Sequence, residues 1–130
     1  MTTEELIALA RRHGSAGACE ACAVLACPGW EAFPGSFPES GLRRVGSLRA
    51  EGEAAWEEPT LEEYHPEGTG YWSPRAPIAP AFHPYNRCDV WACAQCGRPF
   101  LRYTEYGGYY EERRIREVDA ALVTDAKSHG

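Results

Sequence analysis

Two C-x2-C pairs, Cys19-Glu-Ala-Cys22 and Cys93-Ala-Gln-Cys96-Gly97, stand about seventy residues apart in a chain of 130 residues. Nothing else in the sequence restricts the fold as strongly. A C-x2-C turn aims two thiolates at one ion at about 2.3 Å each, and two such turns close the tetrahedron that zinc prefers. The second pair carries Gly97 directly after Cys96, a residue free to adopt the backbone angles that point turn amides at sulfur. Cys27 and Cys88 extend the pattern into a mirror, each five residues outside its pair. Neither has turn spacing, so they read as buried small hydrophobes or as neighbours of each other, and not as ligands.

At Cys19–Cys22 and Cys93–Phe100 the chain resembles the zinc-ribbon and rubredoxin-type double-knuckle metal proteins. The resemblance implies one metal ion held between two loops by Cys19, Cys22, Cys93 and Cys96, with zinc as the ion and iron as the alternative. Four thiolates leave no coordination position for water, so such a site is structural. The chain departs from those proteins in having Ala23 after its first pair and a much longer spacer.

The segments around the cysteines fix the expected fold class. Thr2 and Glu5 form a capping box ahead of a helix over 3–13, with Leu6, Leu9, Ala10 and His13 on one face and Gly14 at its end. His13 reads as a helix-end residue. Trp30, Phe33 and Phe37 lie among turn residues, and 42–49 reads as a strand interrupted at Gly46. Thr60 with Glu63 fits the cap of a single helical turn at 61–64. Residues 66–84 contain five prolines and read as an extended connector that wraps the core with Tyr71, Trp72, Ile78 and Phe82. Strands enter and leave the second knuckle at 88–92 and Pro99–Tyr106. Gly107-Gly108 then turns the chain back over Tyr109–Val118, pairing Phe100 with Ile115, Leu101 with Arg114 and Tyr103 with Glu112. The expectation is a small α+β domain over 1–123, built of short antiparallel strands and an N-terminal helix and pinned by a four-cysteine metal site. Residues 124–130 form a tail.

Charge and composition narrow the function. Net charge is −6, and residues 51–67 hold seven of the 19 acidic residues with no Lys or Arg. That run reads as a solvated loop or a docking surface for a basic partner. The remaining 13 basic and 12 acidic residues make no strong basic face, which disfavours a nucleic-acid partner. The opening MTTEELIALARRHG has no apolar stretch of secretory length, and nothing is long enough to span a membrane. Six cysteines then point to metal chemistry in a reducing, cytoplasmic setting.

The motifs H-E-x-x-H, G-x-S-x-G, the P-loop and G-x-G-x-x-G are missing, as are both halves of the zinc-deaminase signature. No strand pattern precedes Cys19, against a thioredoxin-like role. His65-Pro66 and His83-Pro84 each follow an aromatic residue. Both histidines suit a structural role, and they are also the acid/base candidates of an enzyme reading. The clustered tyrosines Tyr103, Tyr106, Tyr109 and Tyr110 pack a hairpin or, where exposed, offer a protein-contact surface. The sequence favours a non-catalytic zinc-binding accessory protein that meets another protein through the Tyr106/Tyr109 hairpin or through 51–67. An enzyme using His65 or His83 and an iron electron carrier are the alternatives.

Overall fold

The computed structural model describes residues 1–13, 19–49, 60–106, 109 and 111–127. Helix α1 (Thr3–His13) is followed by strands β1 (Glu31–Ala32), β2 (Leu42–Ser47), β3 (Asp89–Cys93), β4 (Pro99–Tyr106) and β5 (Glu111–Glu117). Single 3-10 turns occur at Ala23–Leu25, Glu39–Gly41 and Tyr85–Arg87. The strands make one sheet in the order β1-β5-β4-β3-β2, antiparallel throughout. The fold is α+β. Among the described residues no helix is long and apolar enough to cross a membrane.

α1 starts where its capping box dictates. The Thr2 amide donates to Glu5 Oε1 at 3.0 Å and the Glu5 amide to Thr2 Oγ1 at 3.1 Å, which satisfies two donors that the first turn leaves open. Leu6 and Ala10 are buried against the sheet. Gly14 lies outside the described residues. β2 is broken where a glycine suggested it: the pairing with β3 skips between Arg44 and Gly46, leaving Val45 as a bulge. Gly46 faces Met1, whose Cε would lie 3.0 Å from an added Cβ.

Both faces of the sheet are covered. On one, Val90, Leu101 and Tyr103 pack with α1, Trp30, Ile78 and Tyr85. On the other, Phe100 and Ile115 pack with Leu25, Phe33, Phe37 and the knuckle cysteines. Consecutive residues such as Phe100 and Leu101 serve opposite cores because strand side chains alternate. The 33–41 segment is fastened over the second face by planar groups. Arg102 lies between the rings of Phe33 and Trp91, at 4.0 and 4.6 Å, and Glu39 accepts from Arg113 at 2.6 Å.

Several expectations are corrected. The β4–β5 register is shifted by two residues, placing Phe100 opposite Glu117, Leu101 opposite Arg116 and Tyr103 opposite Arg114. A shift of two returns every side chain to its own face, so the hydrophobic pattern cannot distinguish the registers. Contacts at the strand end do. The Glu117 amide donates to the Cys27 carbonyl at 3.0 Å and the Val118 amide to that of Pro99 at 3.2 Å. The link therefore spans 107–110, of which Gly107, Gly108 and Tyr110 lie outside the described residues. The helical turn expected at 61–64 is absent, because Thr60 Oγ1 accepts the Glu62 amide at 3.1 Å in a tight turn instead. Pro66 also disfavours helix at the residue before it. The connector does wrap the core through Ile78 and Phe82, yet Trp72 is 57% exposed. Past the point where the tail was expected to begin, the Thr124 amide is still bonded to the Ile78 carbonyl at 3.0 Å.

The register brings one residue into an unexpected place. Arg116 is fully buried. Its Nε donates to the Pro28 carbonyl at 3.0 Å, Nη2 to those of Ala76 and Pro74 at 2.8 and 3.4 Å, and Nη1 to the Tyr85 hydroxyl. One guanidinium thus ties β5 to the chain before β1, to the connector at Pro74 and Ala76, and to Tyr85 just beyond it. All these acceptors are neutral, so the fork's geometry, not an ion pair, compensates the desolvated charge. Replacing Arg116 with Met should cost about 3–5 kcal/mol in urea unfolding, because four oxygens lose their donor together. Lys should rescue little of that loss, since it cannot reproduce the planar fork. A Met variant within about 0.5 kcal/mol of wild type, the range of a surface change, would contradict this role.

Candidate metal centre

The second knuckle is the turn between β3 and β4. Its backbone is closed by Gly97 N–H to the Cys93 carbonyl and Cys93 N–H to the Arg98 carbonyl, both at 2.9 Å. Gly97 has φ +81, the left-handed region that glycine enters without strain. The first knuckle is the turn Cys19–Cys22, with the Cys22 amide bonded to the Cys19 carbonyl at 3.3 Å, running into the 3-10 turn Ala23–Leu25. Buried Leu25 anchors that turn beside Phe100.

These two turns face each other. Cys19 Sγ lies 3.9 Å from Cys93 Sγ and Cys22 Sγ lies 3.7 Å from Cys96 Sγ, and all four sulfurs fall within 4.8 Å of one another. Four ligands at about 2.3 Å from a tetrahedral centre have edges of about 3.8 Å. The separations match those edges and are far longer than a disulfide's roughly 2.05 Å. Each short contact crosses from one knuckle to the other, so four cysteines could bind one metal ion that links both. Cys22 and Cys93 are fully buried, whereas Cys19 and Cys96 are partly open to solvent.

Electrostatics show what the cluster requires. Burial would raise the Cys93 thiol, but the amides of Cys96 and Gln95 and the adjoining thiols outweigh it and bring it down to about 7. Burial, and next its neighbours, pushes Cys22 up, and burial also raises Cys96. Several thiolates cannot crowd together without a cation, and a bound metal supplies one.

Cys27 and Cys88 take no part. Cys27 sits in the knuckle-side core, donating to the Leu25 carbonyl at 2.9 Å, and burial pushes its thiol up to about 12. Cys88 lies in the core on the other face, donating to the Pro84 carbonyl at 3.3 Å, and burial raises its thiol too. The sheet separates them, so they are not neighbours.

The candidate acid/base histidines are not brought together with a pocket. His65 spends both ring nitrogens on Glu63 and Thr69, each at 2.8 Å. His83 packs edge-on to Tyr103, with Nδ1 buried and without a partner, and burial, then Arg87, lowers its pKa. Neither histidine lines any of three surface cavities of about 560, 630 and 140 Å³. His13, which the sequence marks only as a helix end, has its ring against Gly97. No local signal announces a contact across so many residues. No family model, curated protein or solved structure matches the chain.

Two outcomes are expected. Serine at Cys19 or Cys96 should remove the metal and lower the melting temperature sharply, since structural zinc supplies on the order of 10 kcal/mol. Serine at Cys27 or Cys88 should leave the metal content unchanged, and loss of metal there would refute the four-ligand assignment. For His83, a lowered folded pKa means that the unfolded chain takes up the proton first. Stability from the neutral ring is therefore complete above pH 6.5, the unperturbed value, and declines as pH falls toward the folded one. Unfolding of zinc-loaded protein between pH 7.5 and 5.5 should show a shallower decline in His83→Gln than in wild type, and equal slopes would contradict it.

Proposed function

We propose that this protein is a zinc-pinned, non-catalytic binding protein whose tetrathiolate centre is structural and whose work is done by a surface elsewhere on the domain. The observation that carries the reading is the convergence of Cys19, Cys22, Cys93 and Cys96 at tetrahedral spacing. A complete thiolate shell leaves no site for an activated water. Zinc is favoured over ferrous iron because a given site generally binds Zn2+ more tightly than Fe2+, in a series that peaks at copper. An iron centre in its ferric form would be red and function in electron transfer, whereas a zinc centre is colourless. The enzyme reading finds little support, since His65 is engaged and His83 is set against Tyr103.

The contact surface is proposed at the β4–β5 tip. Tyr106 is 69% exposed and Tyr109 fully so, although buried aromatic side chains are plentiful elsewhere in the molecule. Exposed tyrosines supply contact area and a hydroxyl at low entropic cost, as protein interfaces use them. The acidic run 51–67 is the second proposed surface, suited to a basic partner; residues 51–59 of it lie outside the described residues. Affinity capture with wild type, Tyr106→Ala/Tyr109→Ala and a charge-reversed 51–67 variant tests both. Loss of the same partner from either variant is expected, and undiminished recovery with both would sink the interface.

A further inference from the structure

The end of α1 rests on the second knuckle. A Cβ added to Gly97 would lie 2.7 Å from Nδ1, 2.8 Å from Cε1 and 3.2 Å from Cγ of His13. The imidazole ring therefore fills the space that a side chain at position 97 would need. Gly97 is required twice, by its positive φ and by this ring. His13 is not among the residues that converge on the metal position, which the four thiols already complete.

Exposure differs among the four thiols. Cys22 and Cys93 have no exposed surface, so a competing ligand must approach past Cys19 or Cys96. His13 stands over Gly97, the residue next to the partly exposed Cys96. We propose that His13 is a positioning residue of the metal centre, its ring covering the Cys96–Gly97 side of the knuckle and slowing exchange of the bound ion. This rests on the reading that the four thiols hold zinc. It adds a role for α1: the helix that leads toward the first knuckle closes over the second, so helix docking and metal retention are coupled.

The test uses full-length zinc-loaded protein, with metal content measured first and transfer of zinc to a chromogenic chelator then followed in time. His13→Ala should bind one zinc per chain yet release it roughly tenfold faster, the low end of what residues outside the ligand shell contribute to metal retention. His13→Phe restores a planar ring without imidazole nitrogens and should release zinc near the wild-type rate. Should the alanine variant loosen α1, His13→Gln, with similar reach and no ring, should be equally fast. Equal release from wild type and both ringless variants would overturn the proposal. A Phe variant as fast as Ala would overturn it too, because cover by the ring would not be the cause. A wild type lacking zinc would instead remove the metal reading beneath it, and the metal measurement identifies that outcome before any kinetics.

Discussion

The meeting of the two cysteine turns is the contact on which the remaining architecture depends. The first knuckle lies outside the sheet, on a segment that forms only a 3-10 turn before β1. The second is built into the sheet as the β3–β4 turn. A metal ion shared by the four thiols would hold these dissimilar segments in one geometry. Closing a chain over about seventy residues costs only modestly more entropy than closing a short loop, so the length of the spacer is no obstacle. Once the first knuckle is fixed, Leu25 and Cys27 are delivered to the core beside Phe100 and Ile115.

Arg116 ties distant segments together on the other face through hydrogen bonds. Its acceptors belong to the residues just before β1 and to the proline-rich connector, both of them irregular backbone. Irregular backbone in a buried position needs its carbonyls satisfied, and one planar fork satisfies three of them together. The fold therefore has two long-range meeting points, the four thiols that could bind one ion and the Arg116 fork. Between them lies a sheet that carries residues for both, Cys93 at the end of β3 and Arg116 in β5.

What the sequence made legible was local. The capping box placed α1 to the residue, the C-x2-C spacing identified the four converging thiols, and Pro99–Tyr106 was recognisable as a strand. Each of these signals is written within a few neighbouring positions. The register of β5 was not legible, since a two-residue slip leaves the apolar pattern unchanged and is decided by Cys27 and Pro99, distant in sequence. Arg116 looked like one arginine among several in a polar strand. β1, with two residues, is too short to have a pattern and exists because Glu31 and Ala32 meet the edge of β5. The same limit explains why His13 passed as an ordinary helix end.

Four converging thiols that could hold one metal ion are the feature of the structure that bears most directly on function. The central claim is that one ion joins both knuckles through four sulfurs and nothing else. Extended X-ray absorption at the metal edge of the purified protein tests that claim most directly. The account predicts a single shell of four sulfurs at about 2.3 Å, with no nitrogen or oxygen scatterer in the first shell. A shell of two sulfurs completed by nitrogen or oxygen would contradict it, because the two turns would then not share the ion.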